Sequence, residues 1–424
     1  MARSQSALLG HPAAVFARSD GSVLDLPQSL AAADGGEIAP ARGDDFIALP
    51  CGALLLTLPG RTPLAYANGE RVAFERFEGA EVDAVAAALP LGYTRTLVPA
   101  YQARSGSPPL PLYGYAAVGW RDGQFCVAAM RTDRLESWSP RSHGTVALRE
   151  GIAARRAEFP GSALLAQLER CALEYGCYTA YNAFLRQGEA AIPVSPACNA
   201  RCIGCISEQE PDAGFVSAQE RVRTLPAVAE MTQLAVAHLE SARDAMVSFG
   251  QGCEGEPLLA APRIATVIHA VRKHTSRGVI HINTNASIPD ALETLLDAGL
   301  QSVRVSLNSA RPETYAAYYR PRGYGFADVV RSIGLASGRG VSLSLNLLTH
   351  PGVTDDAAEI VAFAPLLREN RVSMVQTRTL NVDPALYFAA VGRPRSAIGM
   401  REWFTWMRRE FPKIALGNFT RGFG

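Results

Sequence analysis

The sequence predicts an α/β fold in which a parallel, partly closed barrel of six βα units follows a β-rich domain. From about residue 188 onward, apolar strand-like runs alternate with helix-like runs, which is the pattern of repeated βα units. Residues 1 to about 160 show short β-rich runs separated by Gly, Pro and Asp instead. We therefore predict a β-rich domain at 1–160, a connecting helix at 161–187 and a partial (β/α)6 barrel at 188–424.

Each of the six predicted barrel strands is followed by a predicted helix. The strands are predicted at 190–195, 244–249, 278–284, 302–307, 340–347 and 372–379. The helices are predicted at 217–242, 257–275, 288–298, 312–337, 354–369 and 399–410. The first helix is predicted to begin at Ser217, because Ser217 and Glu220 have the spacing of a capping box. In the N-terminal domain, the turn residues Asp122 and Gly123 predict a β-hairpin.

Composition and charge exclude several classes of protein. With 424 residues, 48% of them hydrophobic, the chain can bury a large core and is not a disordered or fibrous protein. The 41 Lys and Arg nearly balance the 40 Asp and Glu, so no strong field attracts nucleic acid or anionic membrane. No run approaches the roughly 20 apolar residues that span a membrane. The first residues lack the apolar core of a signal peptide, so we expect a cytoplasmic protein without a membrane partner.

Three of the eight cysteines crowd into one loop directly after the first predicted barrel strand. Cys198, Cys202 and Cys205 form a C-x3-C-x2-C pattern. A short loop can turn three thiolates toward one point, and thiolates are the ligands of iron-sulfur clusters. Zinc and buried structural cysteines are the alternatives, but zinc usually takes four ligands and no second cysteine pair follows. The spacing therefore favours a cluster with three protein ligands and one open iron.

The end of the second predicted strand is rich in glycine and carries two acids. Gly250 and Gly252 would let the backbone approach a ligand closely. A carboxylate beside them, Glu254 or Glu256, could accept hydrogen bonds from an ammonium group. An ordinary turn before a helix is the alternative interpretation of this segment.

Polar residues also end the other predicted strands, where buried parallel strands should be apolar. At alternating positions, which share one face of a strand, the sequence places Asn283, Asn285, Ser306, Asn308, Asn346, Gln376 and Arg378. An unpaired polar group inside a barrel costs roughly 2–7 kcal/mol. A polar ligand at the C-terminal mouth of the barrel explains their joint placement, although each one alone could serve a turn or a cap.

The cysteine loop resembles the cluster motif of the radical S-adenosylmethionine (SAM) superfamily. The resemblance covers about residues 190–424 and implies a [4Fe-4S] cluster whose open iron is chelated by SAM. It further implies reductive cleavage of SAM to a 5′-deoxyadenosyl radical that abstracts a hydrogen atom from the substrate. An electron donor such as flavodoxin or ferredoxin is then expected. The residue before the last cysteine, often aromatic in this family, is Gly204 here.

The same resemblance assigns roles to the strand-end residues. Glu256, followed by Pro257, is the better match to the family element that binds the SAM amino group. The polar residues of the later strands are expected near the SAM methionine, carboxylate and ribose, and Arg378 near a carboxylate. No cysteine follows Cys253, so the C-terminal auxiliary-cluster domain of the peptide-modifying branch is missing and one cluster is expected.

The sequence says less about the substrate than about the cofactors. A peptide or protein substrate is favoured by the sizeable, neutral N-terminal domain, with tRNA or a small metabolite as the alternatives. A non-catalytic iron-sulfur or zinc-binding module is the alternative from another class. Cys253 could donate a hydrogen atom to a substrate radical or merely pack in the core, as free cysteines commonly do.

Overall fold

The computed structural model describes residues 11–133 and 144–418 and confirms the predicted fold class. A mostly antiparallel N-terminal sheet is followed by three helices and by a parallel sheet flanked by helices. The ten N-terminal residues, which belong to the segment searched for a signal peptide, lie outside the described ranges.

The N-terminal domain is built from fifteen short strands in the described part of the chain. They are β1 (Ala13–Ala17), β2 (Val23–Ala33), β3 (Ile38–Pro40), β4 (Phe46–Ala48), β5 (Leu54–Leu58), β6 (Arg61–Ala67), β7 (Glu70–Ala73), β8 (Arg76–Phe77), β9 (Ala80–Glu81), β10 (Asp83–Ala88), β11 (Tyr93–Arg95), β12 (Val98–Pro99), β13 (Tyr101–Ala103), β14 (Ala116–Arg121) and β15 (Gln124–Arg131). The predicted hairpin is present as β14 and β15, with Asp122 and Gly123 at positive φ in its two-residue turn.

Three helices lead from this domain to the parallel sheet: α1 (Thr145–Glu158), α2 (Ala163–Leu173) and α3 (Tyr178–Leu185). The strands that follow are β16 (Gln187–Ala191), β17 (Arg243–Phe249), β18 (Val279–Thr284), β19 (Ser302–Leu307), β20 (Ser342–Thr349), β21 (Val372–Thr379) and β22 (Ala415–Gly417). The helices between them are α4 (Val228–Ser241), α5 (Ala261–His274), α6 (Pro289–Asp297), α7 (Pro312–Tyr319), α8 (Phe326–Gly338), α9 (Ala357–Glu369), α10 (Pro384–Val391) and α11 (Met400–Glu410).

Strands β16 to β22 pair in chain order, and every pairing is parallel. The carboxyl ends of all the strands therefore lie at one edge, where ligands bind in barrels of this kind. Strand β22 was not predicted, because three residues are too few to show a period. Apolar side chains of the sheet and helices, such as Val305, Leu345 and Trp403, form one continuous core.

The predicted start of the first barrel helix at Ser217 is wrong. Helix α4 begins only at Val228, and residues 206–226 form neither helix nor strand. The Gln219 amide donates to Ile206 O at 2.9 Å and the Val222 amide to Cys253 O at 2.8 Å, so the segment bonds to neighbouring loops instead of to itself. Pro226 adds to this, since a proline disfavours helical backbone in the residue before it.

The predicted helix at 312–337 is two helices, α7 and α8. Arg320 ends α7 in the left-handed region at φ 47°, and the chain then runs extended through Pro321. The break between α7 and α8 allows the segment just after α7 to pair with the cysteine loop. The Arg322 amide donates to Asn199 O at 2.9 Å.

The N-terminal domain contacts the barrel at the end of β21. Asp383, buried before α10, accepts a hydrogen bond from Arg61 Nη2 at 3.1 Å, from the Leu110 amide at 2.9 Å and from Tyr101 Oη at 3.2 Å. Thr94 Oγ1 donates to Thr377 O at 2.9 Å. The β-rich domain is therefore joined to the edge of the sheet that carries the polar strand ends. None of the helices in the described ranges is long and apolar enough to cross a membrane.

Candidate functional site

The cysteine loop is held by backbone hydrogen bonds to the end of α7. The Arg201 amide donates to Tyr319 O at 3.0 Å and the Ile203 amide to Tyr318 O at 3.1 Å. Ala200 forms an isolated bridge with Pro321. These bonds use only main-chain atoms. They therefore shape the loop without involving the side chains of its three cysteines.

The three cysteines of the loop are half-buried and near one another. Cys202 lies close enough to Cys198 and Cys205 for their charges to interact, and burial raises the pKa of Cys202 well above its ordinary value. Burial also raises the pKa of Cys198. Within the described residues, no three His, Cys, Asp or Glu side chains converge closely enough to hold a single metal ion. A four-iron cluster binds each thiolate to a different iron, so its ligands need no such convergence.

Tyr318 fills the space beside Gly204, the position that is often aromatic in the family. A Cβ on Gly204 would lie 2.9 Å from Tyr318 Oη and 3.0 Å from Asn381 O. Tyr318 packs edge-on against Tyr319 and Tyr387, with ring centroids 5.1 and 5.9 Å apart. The aromatic packing on this side of the loop thus comes from α7 and α10 and not from the loop itself.

Glu254 uses both of its carboxylate oxygens on backbone amides. Oε2 accepts from Val194 and Ser195 at 2.7 and 2.8 Å, and Oε1 accepts from Gly250 and Gln251 at 2.7 and 2.8 Å. Burial raises its pKa to about 7, against the opposing effect of these four amides. Glu254 therefore ties the loop after β17 to the segment before the cysteines, and its acceptors are occupied.

Glu256 has a less complete set of partners. Oε1 accepts from Thr284 Oγ1 at 2.5 Å and from the Leu258 amide at 3.0 Å, whereas Oε2 accepts from the Asn285 amide alone at 2.8 Å. Burial raises its pKa to about 7. The carboxyl group lies near Cys198, whose titration it influences. Glu256 thus keeps acceptor capacity on Oε2 beside the cysteine loop.

Two glycines allow the close packing of these loops. A Cβ on Gly255 would collide with the backbone of Ala197, directly before Cys198. A Cβ on Gly250, which has φ 80°, would collide with Asn283 O. Gly252, the other predicted glycine besides Gly250, faces Ile206 and the Gln219 side chain, so it packs against the segment after the cysteines.

Asn285 links the end of β18 to the cysteine loop. Its Nδ2 donates to Asn199 Oδ1 at 2.9 Å, and Asn199 Nδ2 in turn donates to Ser287 Oγ at 2.9 Å. Asn199 was not predicted as a site residue, because nothing in the spacing of the cysteine motif distinguishes it. The predicted Asn285 is therefore part of the support of the loop.

A row of polar side chains crosses three neighbouring strands. The parallel register aligns Ser306 with Asn346 and Asn346 with Gln376. Asn346 Nδ2 donates to Ser306 Oγ at 3.5 Å, a long bond. Asn346 Oδ1 and Gln376 Nε2 are buried without a hydrogen-bond partner among the described atoms. Because orphaned polar atoms are costly, this row fits a polar ligand.

A second polar group lies deeper in the sheet, around Arg304. Arg304 Nη1 donates to Asn283 Oδ1 at 2.7 Å, and Nη2 lies 3.8 Å from the Glu189 carboxylate. His281 completes the network through Asn283 Oδ1 and Ser302 Oγ, at 3.2 and 2.7 Å. Burial lowers the pKa of His281 to about 4, so the imidazole is neutral near pH 7. The predicted Asn283 is thus engaged in a buried charged network.

Arg378 carries a guanidinium without a near partner at the end of β21. Neither a hydrogen bond nor an ion pair joins this group to any other described residue, although Glu189 and Asp133 act on it from a distance. Burial lowers the pKa of Arg378 to about 10, which leaves it positively charged near pH 7. A half-buried cation with unused donors can bind an anionic group.

Two predicted site residues lie against other elements. Asn308 is fully buried, and its Nδ2 donates to Thr314 O at 3.2 Å and to Tyr387 Oη at 3.1 Å. Cys253 is 3% exposed and lies in the same core as Cys171 of α2, close enough for the two thiols to influence each other's titration. The proximity of Cys253 to Cys171 could not be predicted from the sequence, since the two cysteines are far apart in the chain.

Residues 192–364, which contain the cysteine loop and strands β17 to β20, match the family model of the radical SAM superfamily. This segment is a radical SAM domain. Enzymes of this superfamily use a [4Fe-4S] cluster and SAM. Such enzymes need an electron donor.

Two curated relatives share part of this radical SAM chain. GTP 3′,8-cyclase of Chlorobaculum tepidum is 27% identical over 185 residues, or 43% of this chain and 51% of the relative. The FeMo cofactor biosynthesis protein NifB of Klebsiella pneumoniae is 25% identical over 228 residues, or 48% of this chain and 46% of the relative. The chain thus spans about half the length of the curated relatives it matches.

Solved structures also align with part of the chain. SuiB of Streptococcus suis bound to S-adenosylmethionine aligns with a TM-score of 0.40 and 12% identity, covering 55% of this chain and 50% of that one. The methylornithine synthase PylB aligns with a TM-score of 0.38 and 16% identity, covering 65% of this chain and 75% of that one.

Proposed function

We propose that this chain holds its single [4Fe-4S] cluster through Cys198, Cys202 and Cys205 and uses it to start hydrogen abstraction from a peptide or protein substrate. One observation carries the site assignment: the cysteine loop and the acid-bearing loop are interlocked. The Gly255 amide donates to Ser195 O at 2.7 Å and the Glu256 amide to Ala197 O at 2.8 Å. The three thiols and the Glu256 carboxylate are therefore held in one rigid unit.

The polar residues fit the SAM that would bind beside this unit. When bound and reduced, the cluster supplies the electron that cleaves SAM to the 5′-deoxyadenosyl radical. Glu256 would accept a hydrogen bond from the SAM ammonium at Oε2, and Gly250 keeps the neighbouring backbone close. Asn346 and Gln376 would bind polar groups of the methionine or ribose through the atoms that now lack partners, with Ser306 beside them. Glu254, Asn285 and Asn308 support these loops.

Arg378 is proposed to bind the substrate. Its guanidinium lies at the carboxyl end of β21, beside the strands that carry the SAM residues, and it has no near counterion among the described residues. A carboxylate on the substrate would form the bidentate hydrogen bonds that a guanidinium favours. The N-terminal domain contacts the chain immediately after β21 through Arg95, whose Nη2 donates to Leu380 O at 3.3 Å. The N-terminal domain would therefore recruit the substrate at this edge of the barrel.

The remaining components follow from the chemistry. A low-potential one-electron donor such as flavodoxin or ferredoxin would reduce the cluster, and a reducing cytoplasm would keep the eight cysteines from forming disulfides.

The test is SAM cleavage by protein reconstituted anaerobically with iron and sulfide and reduced with dithionite. We expect 5′-deoxyadenosine, measured by chromatography and mass spectrometry, from the natural protein. Cys202→Ala should lose both the cluster and the product, whereas Cys126→Ala, a buried cysteine of β15, should keep both. Copurification of zinc in place of iron, or a loaded cluster that leaves SAM intact, would refute the proposal.

The peptide substrate needs its own experiment. Candidate peptides deuterated at one position are incubated with the reconstituted enzyme, and the deuterium content of 5′-deoxyadenosine is measured. Transfer from a peptide carrying an acidic residue, lost in Arg378→Met, is the expected result. Transfer from a deuterated nucleoside or small metabolite instead would refute the peptide assignment and leave the SAM chemistry standing.

A further inference from the structure

The guanidinium of Arg221 lies against the sulfur of the last cysteine of the loop. Arg221 Nη2 is 3.5 Å from Cys205 Sγ, within hydrogen-bonding range for a sulfur acceptor. The same guanidinium donates from Nε to Ser207 Oγ at 3.2 Å and pairs through Nη1 with the Glu208 carboxylate. Three separate contacts therefore fix its orientation toward the sulfur.

The segment that carries Arg221 is held on the cysteine loop by independent bonds. Gln209 Nε2 donates to Cys205 O at 2.6 Å and to Ile203 O at 3.1 Å. The Val222 amide, next to Arg221, donates to Cys253 O at 2.8 Å. The non-helical path of residues 206–226 is thus what brings Arg221 back to Cys205.

Burial makes the charge of Arg221 effective at the sulfur. The Arg221 side chain is only 10% exposed, whereas its counterion Glu208 is 62% exposed. Water screens the Glu208 carboxylate more strongly than it screens the guanidinium. The positive charge is therefore only partly offset on the side that faces the cysteine.

Hydrogen bonds to ligand sulfurs and nearby charge are two of the factors that set the potential of an iron-sulfur cluster. Reduction adds a negative charge to the cluster and its thiolates, so a cationic donor stabilises the reduced form more than the oxidised form. We propose that Arg221 raises the reduction potential of the cluster by donating a charged hydrogen bond to Cys205 Sγ. This inference rests on the proposed function, because it requires the cluster at the three cysteines.

The test is a potentiometric titration of the reconstituted full-length protein, followed by the electron paramagnetic resonance signal of the reduced cluster. In Arg221→Gln, we expect the ratio of reduced to oxidised cluster at a fixed potential to fall roughly tenfold, which corresponds to about 59 mV for one electron. Arg221→Lys, which keeps the charge, should fall between this variant and the natural protein. Arg223→Gln, an exposed neighbour, should leave the ratio unchanged within twofold.

Glu208→Gln gives a test in the opposite direction that leaves Arg221 in place. Removing the counterion should raise the reduced fraction at the same fixed potential. An unchanged ratio in Arg221→Gln, or in Glu208→Gln if the first variant does not hold a cluster, would overturn the role of Arg221. Natural protein that takes up no cluster would instead refute the proposed function.

Discussion

The hydroxyl of Tyr318 lies 2.9 Å from the point where a Cβ on Gly204 would stand. The cysteine loop therefore depends on a tyrosine more than a hundred residues away in the chain. Packing requires glycine at position 204, since a Cβ there would also lie 3.0 Å from Asn381 O.

Gly204→Ala is expected to destabilise the loop, because the new methyl group has no room. Overpacking of this kind costs about 1–3 kcal/mol. We expect a lower iron content after reconstitution and a lower thermal midpoint. Adding Tyr318→Phe removes the nearest atom and should restore part of the loss. Alanine at position 204 with full iron content and an unchanged midpoint would contradict this packing.

The affinity for SAM should increase as the pH rises through about 7. Burial holds the pKa of Glu256 at about 7, and only the carboxylate pairs with an ammonium group. Below that value, each pH unit should weaken binding about tenfold. Equilibrium dialysis of labelled SAM against reconstituted protein measures this. In Glu256→Gln the affinity for SAM should be lower, and the pH dependence caused by Glu256 should be absent. Any pH dependence that comes from the titration of SAM should be the same in both proteins.

The same raised pKa affects stability in the opposite sense. A carboxyl group whose pKa is higher in the folded chain stabilises the fold at low pH, and this contribution is lost as the pH rises through about 7. Bound SAM should reverse the effect, because it favours the ionised form of Glu256.

Glu254→Gln should weaken the fold and not the chemistry of SAM. The amide NH₂ of glutamine would face two backbone donors that now share one carboxylate oxygen, which leaves buried donors unpaired. We expect a loss of about 3 kcal/mol in the free energy of unfolding, measured with denaturant. Glu240→Gln, at an exposed position, is the matched control and should change it little. Equal stability of the two variants would exclude this role for Glu254.

Asp383→Asn should separate the unfolding of the two domains. The substitution leaves the buried Arg61 guanidinium without its counterion, a change that costs about 3–5 kcal/mol. We expect one thermal transition to become two. Asp45→Asn removes a partly exposed pair with Arg401 across the same domains and should shift the transition by much less. A single unshifted transition in Asp383→Asn would show that Asp383 does not join the domains.

Cys253→Ala should keep the cluster and produce 5′-deoxyadenosine within twofold of the natural protein. The thiol is buried against Cys171, which favours packing over hydrogen donation. If 5′-deoxyadenosine is formed normally but the substrate product is lost, the thiol is a hydrogen donor after all.

The sequence predicted those features that depend on alternation along a strand or on the spacing of a short motif. Alternation along strands was enough to predict the row of Ser306, Asn346 and Gln376, because parallel strands align their carboxyl ends without further knowledge of the register. The contacts of Arg221 and Tyr318 could not be predicted, since each depends on a loop path set by tertiary hydrogen bonds. The helix start that the capping pattern predicted at Ser217 was wrong for the same reason, because contacts with neighbouring loops outweighed the local preference for a helix.

The bonds that shape the cysteine loop, from Tyr318, Tyr319, Asn199 and Glu254, all come from protein groups. None of them requires iron. We therefore expect the loop to form before the cluster is inserted, so that protein stripped of iron should keep its loop and accept a new cluster without refolding. Damage to the cluster by oxygen would then be repairable in place.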